Sequence, residues 1–140
     1  MRITADTDLL IRMIVRDDPA QAEQAEALLS AAELVAIPVP VLCELAWVLR
    51  RGYRRSPEAV ADTIAELAEV GSVVTHLPSV EAGLAVLRAG GDFADGAIAH
   101  QGTALGGAMF ASFDRRAIAL LRQGGATAAE PAELLAPRRD

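Results

Sequence analysis

Along the chain, short apolar runs closed by Pro, Gly or a charged residue alternate with longer stretches of helical apolar spacing. RITAD (2–6) reads as a first strand, and TDLLIRMI after it places Leu9, Leu10, Met13 and Ile14 on one helix face. Asp17-Asp18-Pro19 has the chemistry of a helix start, an acidic cap with proline in the first turn, and the helix continues through QAEQAEALLSA. ELVAIP (33–38) is a second strand, stopped by Pro38 and Pro40, and VPVLCELAWVLRR is a helix with a broad apolar face. Ser56-Pro57-Glu58 caps a further helix that Gly71 ends. SVVTHL (72–77) is a third strand, Pro78-Ser79-Val80-Glu81 opens the next helix, and GDFADGAIAHQGTAL starts one more. AMFASF (108–113) is a fourth strand, DRRAIALLR a short helix closed by Gly124-Gly125, and ATAAEP a weak edge strand.

Strands separated by helices make a parallel sheet covered on both faces, an α/β class. Such sheets bind ligands beyond the carboxyl ends of their strands. The polar residues at those ends are therefore the first place to look for chemistry.

Composition narrows that chemistry. At 140 residues the chain predicts one domain spanning 1–140, enough to bury roughly 70% of its unfolded surface. The first apolar run is broken by Asp6, Asp8 and Arg12, which excludes a signal-peptide core or membrane span and predicts a soluble, cytoplasmic protein. One cysteine, Cys43, and two histidines, His76 and His100, exclude a thiolate-rich zinc site. Cys43 lies in the apolar stretch PVLCELAW and reads as a buried, inert thiol. A metal here would be held by oxygen, which suits Mg²⁺ or Mn²⁺. A net charge of −6 argues against binding nucleic acid through bulk charge. Yet all 13 basic residues are arginine, with clusters at Arg50, Arg51, Arg54 and Arg55 and at Arg115 and Arg116. Arginine's planar fork suits phosphate, although a general preference for arginine over lysine accounts for the count equally well.

The acids fall at telling places. Asp6 ends the first strand, and Asp114 follows the fourth. Glu44 sits in the apolar helix after the second strand, where an unpaired charge is costly to bury. Asp92 and Asp95 share one face at the head of their helix by i, i+3 spacing. Each has an ordinary use: caps for Asp6, Asp92 and Asp114, a helix-dipole contact for Asp95, an ion pair with Arg50 or Arg51 for Glu44. Together they are harder to explain so. Two carboxylates about 4 Å apart repel by roughly 4 kcal/mol at an effective dielectric near 20. Against a total stability of about 5–15 kcal/mol, gathering several acids calls for a cation or for protons.

The stretches ADTDLLIR, IPVPVLCELAWVL, GDFADGAIAH and MFASFDRRA, in that order over nearly the whole chain, resemble the PIN-domain nucleases, and in particular the VapC-type toxins of toxin–antitoxin pairs. The resemblance implies a three-layer α/β/α PIN-like domain with a central parallel sheet of four to five strands. It makes Asp6, Glu44, Asp95 and Asp114 the catalytic acids. Asp6, Asp95 and Asp114 are the metal ligands it implies, with Asp92 an additional, less certain one. It gives Ser112 the task of supporting the first aspartate and Thr7 a similar one, and it implies metal-dependent endoribonuclease activity with Mg²⁺ (or Mn²⁺), leaving a 5′-phosphate and a 3′-hydroxyl. Glu44 would orient or deprotonate the attacking water, and Arg115, Arg116, Arg50 and Arg51 are candidate RNA phosphate contacts. Implied partners are RNA, a cognate antitoxin and a second copy of the chain in a homodimer. The sequence departs from the pattern at Asp8, where many relatives have Asn, and at Gly96, where Ala is common; a glycine there weakens the helix by about 1 kcal/mol.

Other readings fit less well. Asp6-Thr7-Asp8 also mimics the Asp-x-Asp of haloacid-dehalogenase-type phosphatases, but that chemistry and the phospho-acceptor receiver domains use a lysine, and the chain has none. A PIN nuclease of RNA processing and a catalytically silent PIN-like binding module are the nearer rivals. His76 and His100 read as structural, Trp47 and Phe93 as core residues with base stacking as the second use, and the tail PRRD as a solvated end.

Overall fold

A computed structural model describes residues 1–137 of the chain; the tail reading falls almost wholly outside them. Parallel strands and helices alternate as the apolar pattern predicts. Strand β1 (Arg2–Thr4) leads into α1 (Thr7–Val15), then α2 (Pro19–Ala31), β2 (Leu34–Ala36) and α3 (Val39–Trp47). Next come α4 (Pro57–Glu69), β3 (Val73–Val74), α5 (Leu77–Arg88) and α6 (Phe93–Ala104). β4 (Phe110–Ala111), α7 (Arg115–Gln123), β5 (Ala128–Ala129) and α8 (Pro131–Leu135) complete the described residues.

Local chemistry sets the boundaries. Asp18, Ser56 and the His76 ring accept the backbone N–H groups that open α2, α4 and α5. The last of these shortens the third strand: residues expected to run extended to 77 are taken by the α5 cap. α3 stops as an α-helix at Trp47 and continues as a π-helical turn, Val48–Gly52, which carries Arg50 and Arg51. α8 has no counterpart in the sequence reading, although Glu130 and Glu133 form a reciprocal capping box at its head.

The strands do not form the single sheet of four to five that was expected. β1, β2 and β3 make one parallel sheet, in register Ile3–Val35–Val73, and β4 and β5 make a second parallel pair in which Phe110 faces Ala128. β4 and β5 spend their backbone groups on each other over two residues each, their ladder closed by Phe110 N–H to Thr127 O (2.9 Å) and Ser112 N–H to Ala129 O (3.2 Å).

The main core joins the three-stranded sheet to α1, α3, α4, α5 and α6 through Leu10, Val35, Leu45, Ile64, Val80 and Phe93, all essentially inaccessible. A smaller cluster of Val86, Ile118, Leu121 and Ala128 ties α7 and β5 to α5. α5 and α6 pack unusually close. A Cβ on Gly96 would fall on the Ala82 carbonyl oxygen and 2.9 Å from the Gly83 Cα, and one on Gly83 would strike the Phe93 ring. Gly96, which looked like a weak point of its helix, is thus a requirement of the packing. Phe93 is fully buried as expected, worth about 1.5–3 kcal/mol, and it anchors the head of α6 between Asp92 and Asp95. No helix among the described residues is long and apolar enough to cross a membrane.

Candidate active site

The loop Gly90-Gly91-Asp92 brings the α6 N-terminus to the N-terminus of α7. Gly90 takes a positive φ of 93°, which an L side chain resists, and its carbonyl accepts a 2.7 Å hydrogen bond from the Arg116 guanidinium. A cavity of about 190 Å³ opens beside this loop, lined by Asp92, Asp95 and Asp114 and by Arg50, Arg51 and Arg116. Asp92 is the N-cap of α6 by backbone conformation, but its side chain makes no capping bond. Its ordinary structural use is therefore not taken up. Asp114 does cap: its Oδ1 accepts the Arg116 and Ala117 N–H groups, both at 3.0 Å. Its Oδ2 meets no protein donor among the described residues.

Asp95, one turn into α6, is half-buried. Burial raises its pKa above the ordinary aspartate value, and the Asp92 and Asp114 carboxylates raise it further. Cys43 is half-buried in a cleft wall rather than buried, and burial, with Asp92 adding to it, raises its pKa. The three arginines do not neutralise these acids. The ion pairs among the described residues lie elsewhere, at Arg12–Asp17, Arg16–Glu26, Arg88 with Glu58 and Asp62, Arg115–Glu130 and Arg122–Glu133. Cavity guanidiniums and cavity carboxylates thus remain side by side, unpaired within ion-pair distance.

The other two expected acids line a different cleft. Asp6, Thr7, Asp8, Glu44, Arg12 and Tyr53 border a space of about 380 Å³ between α1 and α3. Asp6 caps α1, its Oδ1 accepting the Leu9 N–H at 2.9 Å. Glu44 is exposed rather than buried, and pairs with neither Arg50 nor Arg51; its Oε2 accepts a 3.0 Å hydrogen bond from the buried Thr7 hydroxyl. A third cleft has Glu44 and Asp92 in its wall and joins the first two. Among the described residues no three Asp, Glu, His or Cys side chains converge as a ready metal-binding group. The expected acids are divided between adjoining spaces: Asp92, Asp95 and Asp114 line one, and Asp6 with Glu44 borders its neighbour. Asp6 and Asp114 each accept a capping bond within their own helix, whereas Glu44 on α3 accepts the Thr7 hydroxyl from α1.

Three supporting roles also shift. The Ser112 hydroxyl accepts the Asp114 N–H at 3.0 Å and so positions the last acid, while Thr7 holds Glu44. Neither bond reaches Asp6. Arg115 does not line the acidic cavity and instead pairs with Glu130 at 2.6 Å. Tyr53 and Arg12 in the Asp6 cleft escaped the sequence reading; both connect to Asp17, the tyrosine hydroxyl at 3.1 Å and the guanidinium at 3.4 Å. Trp47, expected in the core, is 56% exposed at the rim of the acidic cavity. Nothing in the helical spacing of VPVLCELAWVL distinguishes it from its buried neighbours Leu45 and Ala46.

The donor set fits a hydrated divalent cation. Mg²⁺ is commonly held by one or two carboxylates, with water and substrate phosphate filling its octahedron, and does not require a protein cage. Asp92, without a capping bond, and Asp114, with one oxygen to spare, offer such donors, and Asp95 carries repulsion that a cation would relieve.

The PIN domain family model matches residues 3–122, and the chain belongs to that family, whose members are generally metal-dependent nucleases. No curated protein sequence matches it.

Proposed function

We propose that the protein is a Mg²⁺-dependent endoribonuclease and the toxin of a type II toxin–antitoxin pair. The observation that carries the nuclease reading is the cavity lined by Asp92, Asp95 and Asp114 beside Arg50, Arg51 and Arg116, with the Asp95 pKa raised by burial and then by the two neighbouring carboxylates. A divalent cation bound there would polarise a phosphodiester and make a bound water nucleophilic near neutral pH. Asp95, Asp114 and Asp92 are the residues to hold it, with Asp6 contributing from the adjoining cleft. The α7 N–H groups fix the Asp114 carboxylate and Ser112 holds its backbone N–H, so little side-chain freedom is lost when the carboxylate takes up a ligand. Glu44, held by Thr7, is placed to accept a proton from water or to orient it. Arg51 and Arg116 supply positive charge for the phosphate that the acids would otherwise repel.

The toxin role rests on the resemblance of the four motif stretches and brings with it a cognate antitoxin and a homodimer as partners. Its test is growth. Induced expression in a bacterial host should arrest growth, and Asp95→Asn should not. Growth at the uninduced rate with soluble wild-type protein present contradicts the toxin reading.

A further inference from the structure

Next to the acidic cavity, two helices leave mostly apolar side chains in rows that line one cleft. Pro40, Cys43 and Trp47 recur at i, i+3 and i+7 on α3, and Ala94, Ile98 and Gln101 at i, i+4 and i+7 on α6. With Val39 and the carboxylates Glu44 and Asp92, these six residues wall a cleft of about 540 Å³. Trp47 and Ile98 are 56% and 54% exposed, an arrangement that contributes little to a core and leaves large apolar groups in water. Trp47 and Asp92 line both this cleft and the acidic cavity, so the two spaces are continuous.

We propose that this cleft is a nucleobase subsite for single-stranded RNA, with Trp47 as its stacking platform; the inference rests on the nuclease reading above. An indole face in water offers an unpaired base the same stacking it has lost in its own strand. The Gln101 amide, at the far end of the α6 row, provides a donor and an acceptor for a base edge. Arg50 and Arg51 follow Trp47 along the chain and line the cavity beside it, which sets positive charge for the backbone phosphates next to the aromatic ring. A duplex keeps its base faces covered and gains nothing from such a platform. Continuity with an arginine-bearing cavity favours a nucleic-acid strand over a protein segment as the occupant.

Trp47 is the one tryptophan of the chain, so its emission reports on the wall that this cleft shares with the acidic cavity. The probes are single-stranded homopolymeric oligoribonucleotides and an abasic ribose-phosphate oligomer of equal length, titrated with a chelator present so that nothing is cleaved. The base-bearing oligomers should quench Trp47 emission and the abasic one should not. Trp47→Ala should weaken binding of the base-bearing oligomers by roughly tenfold while leaving abasic binding unchanged, and Trp47→Phe should restore most of the loss. Equal quenching by both probes, or none by any oligomer as a cleft serving a protein partner would give, overturns the subsite. The two readings fail separately. Trp47 quenched by RNA in a protein that cuts no RNA with Mg²⁺ retains the subsite and removes the nuclease. Cleavage at unchanged rate and position by Trp47→Ala removes the subsite and retains the nuclease.

Discussion

Gly96→Ala sets two physical effects against each other. Helix propensity alone favours alanine by about 1 kcal/mol in a helix interior. The added methyl, however, has no room: it lands on the Ala82 carbonyl oxygen, with the Ala82 carbonyl carbon 2.8 Å and the Gly83 Cα 2.9 Å away. All three are backbone atoms of α5, so no rotamer change relieves the overlap and the two helices must separate. Overpacking costs about 1–3 kcal/mol where side chains can adjust, and a rigid backbone puts this site at or beyond the upper end. The net is a loss of roughly 2 kcal/mol, or a fall in Tm of about 5–8 °C for a chain of this size. Thermal unfolding followed by far-UV circular dichroism reads it directly. Because α6 carries Asp92 and Asp95, metal-dependent RNA cleavage should fall as well. A rise in Tm of about 3 °C, the outcome that propensity alone demands, would refute the close α5–α6 packing.

Two further outcomes follow from the cavity. The Asp95 pKa in the folded chain lies above its unfolded value, because burial and the Asp92 and Asp114 charges disfavour the ionised form. The folded state therefore holds this proton more tightly, and stability is lost as pH rises through the folded pKa. In chelator, Asp95→Asn should melt higher than wild type at neutral pH, with the difference vanishing below about pH 4, where both states are protonated; a constant difference at all pH values would contradict the assigned cause. Arg51 is exposed and makes no ion pair among the described residues, so Arg51→Ala should leave the unfolding free energy within about 0.5 kcal/mol of wild type. In fluorescence anisotropy it should reduce the slope of log affinity for single-stranded RNA against log salt by about 0.7; an unchanged slope removes Arg51 from the phosphate contacts.

The order of strands and helices was legible because most boundaries carry their own signal: Asp18-Pro19, Ser56-Pro57 and Gly124-Gly125 mark ends that the structure keeps within a residue or two. Strand length was not. His76, read within a strand, spends its ring on the α5 cap, and the two-residue strands β4 and β5 pair with each other instead of extending the first sheet. The clustering of acids was half visible. Spacing of i, i+3 joined Asp92 to Asp95, and the position after the fourth strand placed Asp114 beside them. Whether Asp6 and Glu44 enter that cavity or the next depends on the tilt of α1 and α3, which no local pattern encodes. Gly96 was misjudged for a similar reason, since its value lies in the backbone of another helix. Trp47 was misjudged because periodicity identifies an apolar face without saying how far it extends past the core.

The central claim is that the cavity acids act through a divalent cation on RNA. Its most direct test is to incubate total RNA with wild-type protein and with Asp95→Asn, in Mg²⁺ and in chelator, and to sequence the new ends. New 5′-phosphate and 3′-hydroxyl ends should appear only with wild type and Mg²⁺. Identical ends at similar yield from Asp95→Asn, or from wild type in chelator, would contradict the claim.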